Sequence, residues 1–243
     1  MSGHSKWSTI KHQKETKDKK RGTLFTKLGR AITIAVKESS NDNPESNFSL
    51  RLAIDKARAA NMPNENIKKS VQRGMGKAGK GEIDFKEVSY DGFGPEKIAF
   101  MVECLTDNTN RTVAEIKKIF ETRGGTLASP GSTAYLFVSK GLLSLQKQTD
   151  PESQMLRLID LGVTDLEEKG EEIWVYVEPN SLEKIKGEIA EAGFKVISIE
   201  FVKKPQVLIK PKDKNTSQKI KSLLENLEAH DDVLKVWSNL QSE

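Results

Sequence analysis

The chain has 243 residues, of which 30% are charged and 36% hydrophobic, a balance that suits two or three small packed cores better than one large core. No run approaches the roughly 18 apolar residues of a membrane span, and the first residues lack the apolar stretch of a secretory signal. The single cysteine, Cys104, excludes an internal disulfide and fits a reducing compartment. We therefore expect a water-soluble, cytoplasmic protein.

The charge divides the chain into a basic front and an acidic remainder. Residues 1–80 contain 18 Lys and Arg against 7 Asp and Glu, a net charge of +11. Residues 81–243 contain 21 against 28, a net charge of −7. This asymmetry is typical of a basic module that meets a polyanion and is attached to an acidic body.

Three short helices are predicted in the front third of the chain. They follow a polar, lysine-rich arm, GHSKWSTIKHQKETKDKKRG (3–22). Apolar residues at helical spacing between Thr23 and Val36 mark the first helix. The second runs from about Ser46, the expected N-cap, to Ala60. The third follows Pro63, with Asn64 as its expected cap, and ends at Gly74.

The rest of the chain alternates strand and helix. Residues 141–203 predict the order βαββαβ, the ferredoxin-like pattern. The segments before and after this series each contain too few strands for a sheet of their own. Together they complete one α/β domain. We predict an α+β protein: an N-terminal three-helix domain with a basic arm (1–80), followed by two ferredoxin-like α/β domains, one inserted in the other. The discontinuous domain comprises 81–138 plus 205–243, and the inserted domain comprises 139–204.

Local patterns in this part predict further details. The segment DGFGP (91–95) indicates a Gly-rich turn between two strands. STAYLFV (132–138) and LLSLQ (142–146) are interpreted as separate strands, and VLIK (207–210) as another.

No group of residues in the sequence suits catalysis. The segment 74–80 matches the G-x-x-x-x-G-K of a phosphate-binding loop, but Gly81 stands where Ser or Thr is required, and a helix precedes it where a strand is needed. The spacing of His4 and His12 matches no zinc pattern. Cys104 lies in an apolar strand, where a lone cysteine is usually a small core residue. The sequence predicts a protein that is not an enzyme and has no metal or cofactor.

Basic residues of the arm and of the helices behind it are the candidate nucleic-acid contacts. Lys and Arg neutralise phosphates and release counterions, which supplies affinity without sequence reading, and Trp7 can stack on an exposed base. The alternatives are an inert, solvated arm or a contact with an acidic protein. The predicted nucleic-acid-binding residues are Lys6, Trp7, Lys11, His12, Lys14, Lys17, Lys19, Lys20, Arg21, Lys27, Arg30, Lys68, Lys69 and Arg73.

The polar segment LTDNTNRT (105–112) has two interpretations. Its Asp, Asn and Thr residues suit the N-terminus of a helix, where they satisfy free N–H groups. Alternatively, Asn108, Asn110, Arg111 and Thr112 form a polar contact surface at that helix end. The residues alone favour capping.

Several segments resemble the YebC/PmpR family, and the resemblance covers nearly the whole chain. The segments are GHSKWSTIKH, KRGTLFTKL, NMPNENIKKSVQRG, EVSYDGFGP, LTDNTNRT, GGTLASPGSTAYLF and DDVLKVWSN. The resemblance implies a helical domain and two α/β domains, the third inserted in the second, in a cytoplasmic bacterial protein described as a DNA-binding transcriptional regulator. It also implies kinship with mitochondrial translation activators, and with bacterial members linked to ribosomes stalled on proline-rich sequence. GFGPEK departs from the family, which usually has a Gly pair after Pro95, so we expect a different turn there.

Two function classes follow, a DNA-binding transcriptional regulator and a ribosome-associated RNA-binding translation factor, with a protein-interaction module as the third. The sequence slightly favours RNA, because the short helices show no evident row of Asn, Gln or Arg aimed at a major groove. The expected partner is DNA or ribosomal RNA, with the ribosome as a further candidate and no membrane. The target site and the oligomeric state stay open.

Overall fold

The structure is a computed structural model that describes residues 22, 24–76, 85–163 and 165–241. Its helices are α1 (24–39), α2 (Phe48–Ala59), α3 (Asn64–Gly74), α4 (Thr109–Thr122), α5 (Pro151–Asp160), α6 (Leu182–Glu191) and α7 (Lys214–Ala229). Its strands are β1 (Lys86–Phe93), β2 (Ala99–Thr106), β3 (Thr126–Leu127), β4 (Phe137–Gln146), β5 (Asp165–Lys169), β6 (Glu172–Val177), β7 (Val196–Pro205) and β8 (Val233–Ser238). No helix in the described ranges is long and apolar enough to cross a bilayer.

Helices α1, α2 and α3 pack around an apolar core of their own, as predicted. Two of the expected caps are wrong. Asn47, and not Ser46, caps α2: its side chain accepts a hydrogen bond from the Leu50 N–H at 3.0 Å and also donates to the Ala35 carbonyl at 2.9 Å, which ties α2 to α1. Asn64 is already helical, so α3 begins after Pro63 without a side-chain cap.

The first sheet has the strand order β3-β1-β2-β8, with every neighbouring pair antiparallel. Helices α4 and α7 cover one face of it, where Phe120 of α4 and Leu223 of α7 join Phe100 of β2 in a single core. The Phe100 and Phe120 rings meet edge to face, with centroids 5.9 Å apart. Cys104 is 1% exposed in this core, as expected of a small apolar residue.

The second sheet has the strand order β5-β6-β4-β7, again antiparallel throughout. Together with α5 and α6 it forms the βαββαβ series that the sequence predicted. Its core includes Leu143, Leu158, Ile173 and Ile189. The α+β architecture is therefore a three-helix region followed by two four-stranded sheets, as predicted.

Three local predictions about the sheets are wrong. Asp91, Gly92 and Phe93 continue strand β1 through the segment expected to turn, because Gly92 leaves room for the Phe120 ring, which an added Cβ would approach to 2.5 Å. The segments STAYLFV and LLSLQ do not make two strands, since one strand, β4, runs from Phe137 to Gln146 after a short 3-10 turn. The segment VLIK makes only an isolated bridge, from Ile209 to Leu240.

The helical region contacts both sheets. The Phe48 ring of α2 meets the Phe201 ring of β7 edge to face, with centroids 6.3 Å apart. Lys56 of α2 pairs with Glu200 of β7 at 3.2 Å. A cavity of about 630 Å³ lies where the three parts meet, between α1, α2, β7 and the face of the first sheet that α4 and α7 leave open.

Candidate nucleic-acid interface

Helix α3 turns one face into the helical core and the opposite face to solvent. Ile67 and Ser70 are buried on the inner face. The outer face combines amide and basic side chains at spacings of four with one acidic residue. Its exposed members are Asn64, Glu65, Asn66, Lys68, Lys69, Gln72 and Arg73. Such side chains are those that pair with base edges in a major groove.

One ion pair on this face is internal to the helix. Lys69 pairs with Glu65 at 2.8 Å, and both side chains are more than half exposed, so the pair contributes little to stability and exchanges readily with another anion. The hydrogen bond and charge of Lys69 lower the pKa of Glu65. Three predicted contacts, Lys68, Lys69 and Arg73, thus share one solvent-facing surface.

Lys27 and Arg30 of α1 lie elsewhere, against the segment that joins α7 to β8. The Lys27 ammonium donates to the Glu228 carbonyl, and the Arg30 guanidinium donates to the Asp231 carbonyl at 2.5 Å. Burial lowers the pKa of Lys27, although Glu228 and Asp231 act in the opposite direction. These two residues hold the helical region to the first sheet, and their contact with nucleic acid stays a prediction.

The predicted contacts of the arm lie outside the described residues. They are Lys6, Trp7, Lys11, His12, Lys14, Lys17, Lys19, Lys20 and Arg21.

The segment LTDNTNRT starts α4, and its residues divide between the two interpretations. Asn108 is the N-cap, since its side chain accepts a hydrogen bond from the Arg111 N–H at 3.1 Å. Thr112 is fully buried. Asn110 and Arg111 reach solvent. Capping is thus observed for Asn108, and only part of the segment is available as a contact surface.

A buried carboxylate, Asp232, organises the polar side of this helix end. It accepts hydrogen bonds from the hydroxyls of Thr106 at 3.1 Å and Thr112 at 2.8 Å and from the Arg111 guanidinium at 2.8 Å. Burial alone would raise the pKa of Asp232, but these bonds and the charge of Arg30 together hold the pKa below its ordinary value. Sequence reasoning missed Asp232, because its partners come from two segments distant from it in sequence, α1 and residues 106–112.

Glu115, His230 and Asp232 offer donor atoms within 4.8 Å of one another, the arrangement among the described residues that most resembles a metal site. His230 Nε2 lies 2.9 Å from Glu115 Oε2, and its Nδ1 accepts from the Asp232 N–H at 3.1 Å. The Asp232 carboxylate already faces the cations of Arg30 and Arg111. A divalent cation would have to displace or oppose these charges, so the group suits an ion-pair network better than a metal.

The cavity between the three parts has mostly apolar walls with charged groups at its edge. Lys235 donates to the Phe201 carbonyl at 2.8 Å, and burial lowers its pKa, with the charge of Lys56 acting in the same direction. Burial raises the pKa of Glu87, as do the neighbouring charges of Glu38 and Glu103, against the effect of Lys37. The walls of this cavity come from several elements that are distant in sequence, so no local sequence pattern predicts it.

The described structure thus defines a three-part α+β protein with a helical front that presents basic and amide side chains. Family models match both parts of the chain: the TACO1/YebC protein N-terminal domain over residues 5–77, and the TACO1/YebC second and third domain over residues 85–240. The chain therefore belongs to the TACO1/YebC family, which confirms the resemblance seen in the sequence.

Similar proteins match along nearly their whole length. A protein of Chloroflexus aggregans called "Probable transcriptional regulatory protein" is 42% identical over 99% of this chain and 95% of its own length. A protein of the same name from Dictyoglomus thermophilum is 41% identical, over 98% and 95%. The crystal structure of a conserved hypothetical protein from Aquifex aeolicus is 36% identical, covers 91% of this chain and 90% of its own, and superposes with a TM-score of 0.81.

Proposed function

We propose that this chain is a cytoplasmic, nucleic-acid-binding regulatory protein without catalytic activity. Its preferred ligand in this proposal is double-stranded DNA. The observation that carries the proposal is the outer face of α3, which combines basic and amide side chains on an exposed helix. The relatives' name, "Probable transcriptional regulatory protein", agrees with this ligand. The surplus of basic residues over 1–80 supplies the long-range attraction.

In this proposal α3 enters the major groove, where Lys68 and Lys69 also neutralise flanking phosphates, while the arm follows the phosphate backbone. Duplex grooves of about 12 Å accept one helix, and α3 is held for this purpose by close packing on α1. Gly74 permits that approach, because an added Cβ would lie 2.5 Å from the Val36 Cβ. The contacts of Lys27 and Arg30 with the first sheet are on α1, so they leave the outer face of α3 open.

The division of the chain proposed from the sequence fits this arrangement. Domains 1–80, 81–138 plus 205–243, and 139–204 are supported by the strand orders, since β1–β3 share a sheet with β8 while β4–β7 form the other. The helical domain would then provide the ligand contacts, and the sheets would position it.

The proposal is tested by the charge-removing double variant Lys68→Gln/Lys69→Gln in the full chain. Binding of a labelled DNA duplex is followed by fluorescence anisotropy as a function of salt concentration. Loss of two phosphate contacts should reduce the log–log salt slope by about 1.8. The matched control is Lys117→Gln/Lys118→Gln, which removes the same charge from an adjacent lysine pair on the solvent-facing side of α4.

The two double variants distinguish a contact made by α3 from a general effect of lowering the net charge of the protein. An effect on the α3 pair alone supports the proposal, whereas equal effects of both pairs, or none, refute the role of α3. A transcriptional regulator should in addition select a sequence from a random duplex pool, by about 10³-fold or more over other DNA.

The second candidate is a ribosome-associated RNA-binding translation factor. The observation that favours it is an exposed aromatic side chain, Tyr135, on the sheet-containing part of the chain. Its turn is bonded to Gln206, which stands in a lysine-rich segment. Such surfaces suit single strands better than duplexes. A factor of this kind should co-sediment with ribosomal particles at low salt and leave them as salt rises.

A further inference from the structure

Tyr135 is the most exposed of the large hydrophobic side chains in the described part of the chain, at 71%. It lies in the 3-10 turn Ala134–Leu136, where the chain passes from the first sheet to strand β4 of the second. A tyrosine in a packed protein usually contributes its ring to a core or an interface. Here the ring stands in solvent.

The backbone that carries Tyr135 is held at several points. The Leu136 N–H donates to the Thr133 carbonyl at 2.9 Å, and the Gln206 side chain donates to the Tyr135 carbonyl at 3.0 Å. The Gln206 N–H donates to the Leu136 carbonyl at 2.8 Å. The turn is therefore bonded to Gln206, the residue directly after the end of β7.

A buried carboxylate fixes the loop on the other side of Tyr135. Asp91 of β1 is 3% exposed; its carboxylate accepts a hydrogen bond from the Thr133 hydroxyl and one of 2.5 Å from the Gly131 N–H. Burying a charge is costly unless it is fully bonded, so these bonds hold the loop against β1. A side chain presented on a fixed backbone loses less conformational entropy when it binds a partner.

The segment that includes Gln206, the residue bonded to the Tyr135 turn, is strongly basic, although the body as a whole is acidic. Residues 203–221 contain seven lysines and a single acidic residue, Asp213. Lys210 and Lys212 are exposed and make no ion pair within the described ranges. Lys97 is exposed next to them, because the Glu96 carboxylate accepts a hydrogen bond from the Lys212 N–H at 3.1 Å.

We propose that Tyr135, Lys97, Lys210 and Lys212, here called the tyrosine–lysine surface, bind a single-stranded polynucleotide. A base stacks on the Tyr135 ring while the lysines neutralise the phosphates on either side. This inference rests on the proposed function in that the ligand is a nucleic acid, but it assigns a second surface and the single-stranded form. An acidic peptide would use the lysines and leave the fixed, flat ring without a matching contact.

The test uses labelled oligonucleotides of about twelve residues, U-only RNA and T-only DNA, which match the span of common single-strand sites. Anisotropy titrations compare the full chain with Tyr135→Ala, Tyr135→Trp and Lys210→Gln/Lys212→Gln. Tyr135→Ala should weaken binding by about 5- to 100-fold, and Tyr135→Trp should retain it, because the ring and not the hydroxyl makes the contact. The lysine variant should lower the log–log salt slope by about 1.4.

Leu156→Ala is the matched control, since Leu156 is 64% exposed on α5 and distant in sequence from the surface. A second measurement covers the case of a variant that fails to fold: the unmodified chain is photocrosslinked to 4-thiouridine RNA, and the adduct is mapped to a peptide. An adduct on the peptide containing Tyr135 supports the inference. The comparison of U-only RNA with T-only DNA shows which of the two the surface binds more tightly.

Failure of this inference is distinct from failure of the proposed function. Unchanged affinity of Tyr135→Ala together with no adduct near Tyr135 overturns the tyrosine–lysine surface, whatever the α3 variants do. Loss of duplex binding in Lys68→Gln/Lys69→Gln with single-strand binding unchanged shows two independent surfaces, which supports both proposals.

Discussion

Arg30 of α1 and Asp232 at the entry to β8 lie 3.2 Å apart, guanidinium to carboxylate, and their side chains are only 13% and 5% exposed. This ion pair joins the helical region to the first sheet across 202 positions of the chain. On the other side of the carboxylate, Arg111 and Thr112 bind Asp232 from the start of α4. One buried side chain therefore fixes the relation between α1, the start of α4 and the entry to β8.

Asp232→Asn should destabilise the protein at neutral pH and flatten its acid dependence. Removing one member of a buried ion pair costs about 3–5 kcal/mol. Because folding lowers the pKa of Asp232, its contribution is present above the unfolded pKa of about 4 and is lost as pH falls through the folded value. Urea unfolding midpoints measured from neutral pH to about pH 3 check both effects.

The control for this prediction is Asp160→Asn, since Asp160 is exposed at the end of α5. It should leave the midpoint nearly unchanged. Equal midpoints for Asp232→Asn and the unmodified chain at neutral pH would show that the network contributes no net stability.

Two helical glycines should respond in opposite directions to the same substitution. Gly74→Ala places a Cβ 2.5 Å from the Val36 Cβ and 2.7 Å from the Thr33 carbonyl oxygen, so α1 and α3 must separate, at a cost of about 1–3 kcal/mol. Gly187 in α6 has nothing within 4 Å of the added Cβ. Gly187→Ala should therefore raise stability by about 1 kcal/mol through helix propensity.

Thermal unfolding followed by circular dichroism checks this pair of substitutions. A destabilised Gly187→Ala, or a neutral Gly74→Ala, would contradict the packing described here. The Gly74 variant should also weaken duplex binding, because the outer face of α3 shifts with the helix.

The comparison of sequence and structure shows which features local patterns reveal. The helical stripe of α1 and the βαββαβ order of the second sheet follow from periodicity alone, and both were predicted. The continuous strand β4 was missed, because Ser139, Lys140 and Gly141 interrupt its apolar pattern, although Gly141 is accommodated against Leu182. Hydrophobic pattern therefore located the elements better than their ends.

The candidate site was less predictable than the fold, for a physical reason. Lys27 and Arg30 have the same charge and helical setting as Lys68 and Lys69, yet the first pair contacts backbone carbonyls of residues about 200 positions away and the second pair faces solvent. Amino-acid composition and charge do not distinguish these four residues. Only long-range packing distinguishes a charge used for assembly from a charge available to a ligand.

Lys97→Gly should stabilise the turn between β1 and β2. Glu96 and Lys97 both adopt positive φ, 56° and 59°, in the turn where the sequence resemblance implies a Gly pair. A non-glycine residue in this region costs about 1–2 kcal/mol, and glycine removes that cost while adding freedom to the unfolded chain, so a net gain of about 0.5–1 kcal/mol is expected. Lys97→Ala keeps the unfavourable φ and is the control, with no gain expected in the unfolding temperature.

Glu96 is a poorer choice for this test, because its carboxylate accepts the hydrogen bond from the Lys212 N–H. Glu96→Gly should lose that bond while relieving the backbone, and its net effect should be smaller than that of Lys97→Gly. A larger gain at position 96 than at position 97 would show that the bond contributes nothing.

Cys104 should react with a thiol reagent only when the first sheet opens. Its side chain is 1% exposed, and burial, assisted by the charge of Asp232, raises the pKa of the thiol to about 12, so the reactive thiolate is scarce near pH 8. Modification by a chromogenic disulfide should be slow in native conditions, should accelerate with urea in step with unfolding, and should reach one equivalent in concentrated guanidinium. Asp232→Asn should accelerate the native reaction, because opening becomes easier. Rapid, stoichiometric labelling of the unmodified chain near pH 8 would mean that α4 and α7 do not cover Cys104 as described, and the core of the first sheet would then need a different packing.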